Sequence, residues 1–243
     1  MILHDNAKHT LSNMGDNTID LTITSPPYYN AKDYITYKSL DHYFDVMEDI
    51  FTELLRVTKL SRMCAVNISP VLVPRESRSK QSYRIPLPFR FVTMMTKIGW
   101  EFLEDIIWVK PSGAVPNRNG GFYRHRKPVA YKPNVVTEYI FVFKKPAPFL
   151  IDKVLRKDSL VTGEYEKTNL WYINPETRSK HPAPFPLELP SKLIKYYSYE
   201  GETVLDIFAG SGTTGLAAKQ LNREFIMVEQ EKEYVEMMEK RLC

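Results

Sequence analysis

Only two cysteines occur among 243 residues, Cys64 and Cys243, and they form no Cys-x-x-Cys pair or other metal-ligand spacing. That scarcity excludes a disulfide framework and a zinc site, so a reducing compartment and no bound metal are expected. Apolar runs are short as well. None approaches the roughly 18 consecutive residues that cross a bilayer, and the N-terminus has no basic stretch leading into an apolar one. The expectation is a soluble, cytoplasmic protein. Nor is one charge in large excess: 33 Lys and Arg face 29 Asp and Glu, and a net charge of +4 does not by itself point to a polyanion. Internal repeats and low-complexity segments are absent too.

What the chain does have is 43% hydrophobic content, enough to bury one substantial core. One large domain over 1–243 with an insertion is therefore expected. The cations are unevenly placed. Arg75, Arg78, Lys80 and Arg84, then Lys110, Arg118, Arg124, His125, Arg126, Lys127 and Lys132, fall in the middle third, whereas 224–239 is acid-rich. A basic surface patch follows from that distribution.

Patterning predicts strands over 1–4, 18–24, 63–68, 102–109, 136–143, 203–208 and 225–228, and helices over 41–59, 86–98, 212–221 and 232–242. The 41–59 helix rests on Phe44, Met47, Ile50, Phe51, Leu54, Leu55 and Val57, with Asp41 suiting its N-terminal dipole. Gly99 is expected to stop the 86–98 helix. Residues 110–134 hold Gly, Pro, Asn and cations without a period and read as a long loop, a length that usually signals function or disorder. Residues 152–168 are charged and weakly patterned. Strand–helix alternation at both ends implies an α/β sheet with helices on both faces, the irregular middle lying at one edge.

Two motifs carry chemistry. Thr203 to Gly215 reads as a strand, an acidic residue, a Gly-x-Gly turn and a helix, and Gly210, Gly212 and Gly215 satisfy Gly-x-Gly-x-x-Gly. Glycines at 210 and 212 lack the Cβ atoms that would hold a ligand off the backbone. The helix beyond offers unpaired N–H groups, and Asp206 at the strand end can face a cationic or hydroxyl-bearing group. The 225–228 strand ends in Glu229, at the place where an acidic side chain grips a pair of ribose hydroxyls. This half fits a nucleoside-type cofactor. A dinucleotide site, or an ordinary strand–helix turn, would look much the same.

The second motif is Ser25-Pro26-Pro27-Tyr28, whose two fixed φ angles stop the 18–24 strand. The proline carbonyls have no local N–H partner. One of them, with the Ser25 hydroxyl, can accept both hydrogens of an –NH₂ group. Such bonds draw an aromatic amine toward tetrahedral geometry and localise a lone pair otherwise conjugated into its ring. Tyr28 can stack on that ring, as an extruded base requires. A strand-ending turn with a buried tyrosine is the plainer alternative for the tetrapeptide alone. Taken with the glycine turn, the motif describes an exocyclic amine brought to a methyl donor.

With these motifs the chain resembles the amino-directed DNA methyltransferases, Thr24-Ser25-Pro26-Pro27-Tyr28 standing as the catalytic motif and Asp206-Ile207-Phe208-Ala209-Gly210-Ser211-Gly212-Thr213 as the S-adenosylmethionine motif. Their order, catalytic before cofactor, is similar to that of the permuted β group. His181-Pro182-Ala183-Pro184-Phe185-Pro186, followed by Leu189 and Leu193, resembles the segment that packs on the methionine end of the cofactor. Trp108-Val109-Lys110-Pro111 and the run from Glu138 to Lys145 are similar to the paired strands near the target pocket. Asp5 matches the position that meets the cofactor's adenine amine. The resemblance covers nearly the whole chain, the target-recognition part least.

That resemblance implies a Rossmann-like methyltransferase fold with a mostly parallel sheet, S-adenosyl-L-methionine as cofactor, and site-specific transfer of a methyl group to an amine of a flipped base in double-stranded DNA. It implies a catalytic half over 1–110, DNA-facing segments near 111–135 and 149–170, and a cofactor half over 181–243. A cognate restriction endonuclease and a homodimer follow by the same analogy, with an orphan modification enzyme as the alternative.

In the family, Thr-Ser-Pro-Pro most often marks N4-cytosine enzymes, whereas N6-adenine enzymes carry Asp or Asn in the serine's place. A neutral serine accepts from the amine and donates elsewhere; an ionised aspartate only accepts. Cytosine N4 is the expected target and adenine N6 the alternative. Attack at cytosine carbon-5 needs a Cys nucleophile, and Cys64, in an apolar strand, reads as core. Arg118, Arg124, Arg126 and Lys127, interleaved with Phe122 and Tyr123, suit contact with the DNA backbone, with Arg75 to Arg84 as a second arm. So little room for recognition predicts a short target site. His181, beside prolines, reads as structural. A nucleotide-dependent oxidoreductase would leave Ser-Pro-Pro-Tyr unexplained, and an inactive DNA-binding relative would not need both motifs intact.

Overall fold

A computed structural model of the chain describes residues 1–29, 37–77, 79–115, 117–118, 120–149, 159–176 and 186–242. Along them run β1 (Ile2–His4), α1 (Ala7–Asn13), β2 (Ile19–Thr24), α2 (Leu40–Val57), β3 (Thr58–Ile68), β4 (Val71–Val73), β5 (Tyr83–Ile85), α3 (Leu87–Ile98), β6 (Glu101–Val109), α4 (Gly120–His125), β7 (Thr137–Lys144), β8 (Leu170–Tyr172), α5 (Glu188–Tyr197), β9 (Thr203–Asp206), α6 (Thr213–Gln220), β10 (Glu224–Glu229) and α7 (Lys232–Leu242). Eight strands form one sheet in the order β1-β10-β9-β2-β3-β7-β6-β8, and β4 and β5 form a separate hairpin. Neighbours run parallel except at β7, which is antiparallel to both β3 and β6.

Side-chain alternation along the strands separates two cores. Cys64, Val66 and Ile68 of β3 face the helices α1, α2 and α3, where Leu11, Phe51, Leu54 and Phe91 are buried with them. Leu21, Ile23 and Ala65 face the other way, against Leu189 and Leu193 of α5 and Ala217 and Ala218 of α6. Cys64 is thus a core residue.

Helix α2 shows how sequence writes local structure. Ser39 caps it by accepting from the His42 N–H at 3.0 Å, and Tyr43, Phe44, Met47, Ile50, Phe51, Leu54 and Val57 form its buried stripe. Gly99 ends α3 with φ at +116°, a left-handed conformation that costs glycine little.

The order of the strands fixes the position of the site. From β2 the chain winds outward to β3, and from β9 it winds the opposite way to β10. Adjacent β2 and β9 therefore flank the point where winding reverses, and ligands of open α/β sheets seat at the carboxyl ends of the strands there. Leu21 lies opposite Val204 and Thr22 opposite Leu205. That register brings Thr24 and Asp206 together at the carboxyl end.

The structure corrects several element expectations. The strand expected from Met63 begins at Thr58, directly after α2. The 110–134 loop contains a 3-10 turn over Ser112–Ala114 and α4. Helices α1 and α5, the β4–β5 hairpin and β8 were not legible. Of these, α1 is short and buries only Ala7, Thr10 and Leu11, and α5 contains Pro190, which reads as a breaker but falls in the first turn, where its missing N–H is harmless.

Candidate active site

The turns after β2 and β9 line one cavity of 560 Å³, which Ser25, Pro26, Pro27 and Tyr28 share with Asp206, Phe208, Ala209, Gly210, Ser211, Thr213, Glu229 and Asp5. Sequence positions near the two ends of the chain meet there. The joint is a hydrogen bond: Thr24 Oγ1 donates to Asp206 Oδ1 at 2.8 Å. Thr214 Oγ1 donates to Asp206 Oδ2 at 2.8 Å and the Phe208 N–H to Oδ1 at 3.1 Å. Burial nonetheless pushes the Asp206 carboxyl up to about 6, since three hydrogen bonds only partly offset the desolvation of its charge.

The rest of the cofactor half is tied to that carboxylate's neighbourhood. Glu229 accepts from the Gly210 N–H at 2.8 Å and the Glu231 N–H at 2.9 Å, which holds the glycine turn against the end of β10. Asp5 accepts from His9 Nδ1 at 2.7 Å, Thr10 Oγ1 at 2.8 Å and the Asn6 N–H at 2.7 Å. The His9 bond leads these in holding the Asp5 carboxyl below its ordinary range. Gly212 is placed differently: it is not on the cavity wall. Its φ is +76°, and a Cβ there would stand 2.4 Å from Met238 Cγ of α7. The missing side chain at 212 makes room for a helix. Arg241 of α7 supports the turn from the same side, donating to Thr213 Oγ1 at 2.9 Å. Pro184, Phe185 and His181 lie outside the described residues.

In the catalytic half, Ser25 Oγ donates to the Asn67 carbonyl at 3.1 Å, and Asn67 Nδ2 donates to the Tyr139 carbonyl at 3.1 Å. The serine's proton is thereby committed to β3, leaving its oxygen as an acceptor. Among the described residues none donates to the Pro26 carbonyl. Tyr28, half-buried, donates to Glu138 Oε2 at 3.1 Å, and Lys110 Nζ pairs with Glu138 Oε1. Burial first, and then the Glu138 charge, push the Tyr28 phenol well above its ordinary value, so it stays a neutral donor. Lys110 Nζ also sits 4.4 Å from the centroid of the Trp108 ring.

Asn67, Trp108, Lys110, Glu138, Pro175 and Glu176 also line the cavity, and sequence reasoning gave none of them an individual role. The Trp-x-Lys run and the acidic start of the next strand were visible, but only their antiparallel pairing, with Trp108 opposite Glu138, puts the charges together. Of the expected DNA-facing cations, Arg118 is half-buried, while Arg124, Arg126 and Lys127 are exposed. The Arg126 guanidinium lies 5.2 Å from the Tyr123 ring centroid. None of the four lines the cavity. They stand on the segment between β6 and β7, whose base is closed by the Lys110 N–H donating to the Val136 carbonyl at 2.8 Å.

A family model for DNA methylases, N6- and N4-directed, matches residues 19–240. The chain belongs to the N6/N4 DNA methylase family. Orphan methyltransferase M.BamHII of Bacillus amyloliquefaciens is 31% identical over 265 residues, an alignment covering 95% of this chain and 91% of that protein. Type II beta methyltransferase M.BslI of Bacillus sp. (strain NEB-606) is 30% identical over 99% of this chain, which spans only 27% of that longer protein. Among solved structures, a DNA modification methylase of Thermus thermophilus, TTHA0409, complexed with S-adenosyl-L-methionine, matches with a TM-score of 0.78 at 25% identity, covering 99% of this chain and 92% of that one. PvuII DNA methyltransferase (cytosine-N4-specific) matches with a TM-score of 0.74 at 22% identity over 100% of this chain and 86% of its own, a likeness of fold.

The methylase therefore uses S-adenosyl-L-methionine as its cofactor. Its cavity suits that molecule. Asp5, Asp206, Glu229 and Glu231 face the cavity and match a ligand that carries a sulfonium and an ammonium charge. Among the described residues there is no cluster that could hold a metal, and no helix is long and apolar enough to cross a membrane.

Proposed function

We propose that this DNA methyltransferase acts on the exocyclic N4 amine of a cytosine extruded from duplex DNA, and that it serves a restriction–modification system or acts as an orphan modification enzyme. The observation that carries the reading is the commitment of the Ser25 proton to Asn67, which leaves two neighbouring acceptors, Ser25 Oγ and the Pro26 carbonyl, for the two hydrogens of one amine. Accepting both hydrogens draws the nitrogen out of conjugation with its ring and sharpens the lone pair. The face of Tyr28, fixed by its hydroxyl on Glu138, supports the base, and Lys110 holds Glu138 in turn. When bound, S-adenosylmethionine supplies the electrophilic methyl group.

Asp5, Asp206, Phe208, Ala209, Gly210, Ser211, Thr213 and Glu229 form the cofactor wall in this reading, with Glu229 facing the ribose hydroxyls and Asp206 the cationic end. Gly212 acts through packing. Residues 111–135, with Arg118, Arg124, Arg126 and Lys127, face the DNA backbone. Flipping costs a few kcal/mol of unstacking, which stacking on Tyr28 and phosphate contacts offset. The kinship with Type II methyltransferases supports a cognate nuclease as partner; M.BamHII's name supports the orphan alternative.

The test is digestion of plasmid methylated in vitro to nucleosides, followed by mass spectrometry. N4-methylcytosine is expected. N6-methyladenine in its place would overturn the choice of base and leave the choice of amine standing.

A further inference from the structure

A cluster of cations outside the cavity has no anion to explain it. Ser82 Oγ, at the foot of β5, accepts hydrogen bonds from Arg118 Nη2 at 3.1 Å and Lys132 Nζ at 3.2 Å. Arg84 stands two residues further on and donates to the Pro70 carbonyl at 3.2 Å. All four side chains are half-buried, and among the described residues no carboxylate pairs with any of the three cations. Burial, and after it the Arg118 charge, pull the Arg84 guanidinium below its ordinary value. Like charges held together and partly desolvated are unfavourable unless an anion completes them.

We propose that Arg84, Arg118 and Lys132, gathered around Ser82, form a seat for one phosphate of the DNA backbone at the rim of the catalytic cavity. Both lone pairs of the Ser82 oxygen are taken by the two cations, so its O–H is left to donate outward. Cationic N–H donors and a hydroxyl directed at one place form the chemistry that receives a phosphate oxygen. Position supports the same ligand. The β4–β5 hairpin leaves β3 just beyond Asn67, and the Arg118–Lys132 segment is closed at Lys110 and Val136, so both arms spring from strand ends that wall the cavity. Exposed Tyr83 and Tyr131 flank the cations and offer surface to the neighbouring sugar and base. The seat locks the two arms to one phosphate and so sets the register of the duplex over Ser25.

This inference rests on the DNA-methyltransferase reading above, and its test separates the two. Duplex binding by the full chain is measured by fluorescence anisotropy against salt concentration, alongside thermal stabilisation by S-adenosylhomocysteine. Arg118→Gln and Lys132→Gln, which keep an amide donor for Ser82, are each expected to reduce the slope of log affinity against log salt by about 1 and to leave the cofactor stabilisation unchanged. Ser82→Asp supplies the missing anion from within. It is expected to raise the melting temperature while weakening DNA binding, an opposition that a purely structural serine would not give. Wild-type slopes in all three variants would overturn the seat and leave the reading intact. Inorganic phosphate displacing the duplex far better than chloride at equal ionic strength would make this a small-anion site and overturn it as well. A wild-type chain that neither binds duplex nor transfers methyl would remove both.

Discussion

Thr24 and Asp206, 182 positions apart, are joined by a 2.8 Å hydrogen bond in which the threonine hydroxyl donates to a fully buried carboxylate. It ties the carboxyl end of β2 to that of β9, and hence the base-holding turn to the cofactor-holding turn. Distance between those turns decides whether a methyl group can reach an amine, so this bond belongs to the geometry of the reaction as well as to folding. Thr24→Val keeps the shape and removes the donor. The variant is expected to lose about 1–3 kcal/mol of stability in urea unfolding, the cost of leaving a buried acceptor short of a partner. It should also bind S-adenosylmethionine more weakly in calorimetry.

Asp206 itself predicts a pH dependence. Its folded pKa of about 6 lies above the ordinary 3.8, so the folded apoprotein gains from its protonated form below pH 4 and loses that gain as pH rises through 6. Asp206→Asn removes the penalty of a buried charge. The apo variant is expected to be more stable than wild type at pH 7.5, by about 1–3 kcal/mol, with the difference shrinking toward pH 4. Cofactor affinity should move the other way, falling in the variant at neutral pH and in wild type below pH 6. Equal stabilities at pH 7.5 would refute the assignment of a strained charge.

Ser25→Ala tests the acceptor role directly. With one of two acceptors gone, the amine stays more conjugated in the transition state. The rate of methyl transfer is expected to fall by about 100-fold or more, the scale of losing one preorganised hydrogen bond to a reacting group. S-adenosylhomocysteine binding should hold within about twofold. A variant with full single-turnover rate would remove the serine from the chemistry.

Glu138 links Tyr28 to Lys110. Glu138→Gln strips the partly buried Lys110 cation of its counter-ion and weakens the anchor of the tyrosine hydroxyl. Lower stability and a kcat/KM for DNA reduced about 10-fold are expected. Adding Lys110→Met should recover stability, since the pair costs less absent than broken, but not kcat/KM. Urea titration and steady-state kinetics on the two variants separate the effects.

Gly212 distinguishes packing from ligand approach. Gly212→Ala forces a side chain into the left-handed region and against Met238 Cγ. A loss of about 1–3 kcal/mol is expected, with a coupling to Met238→Ala of about 1 kcal/mol in a double-mutant cycle. Additive effects would show that the helix is not what the glycine serves.

Residue chemistry made much of the site legible in advance. Ser25-Pro26-Pro27-Tyr28 and the run from Asp206 to Thr213 stand out because proline and glycine restrict or free the backbone locally, and such constraints need no tertiary context. Glu229 followed from its place at a strand tip. Lys110, Glu138 and Asn67 were harder, because an ordinary charged or amide residue in a strand becomes part of a site only through its cross-strand neighbour. Helix α5 hid behind Pro190, and β8 is only three residues long, held by parallel pairing with Ile107–Val109 and by Trp108 Nε1 donating to the Ile173 carbonyl at 2.8 Å.

The sequence by itself determined which turns are rigid, which strands are buried and which residues bring an acceptor, a stacking face or a carboxylate. Periodicity and proline or glycine geometry act over a few residues and leave a direct trace in the order of the letters. Tertiary structure alone decided that β2 and β9 lie side by side, that Gly212 faces α7 and that Arg84, Arg118 and Lys132 share one serine. Those facts depend on the winding of a parallel sheet, whose neighbours are set by burying both of its faces at once.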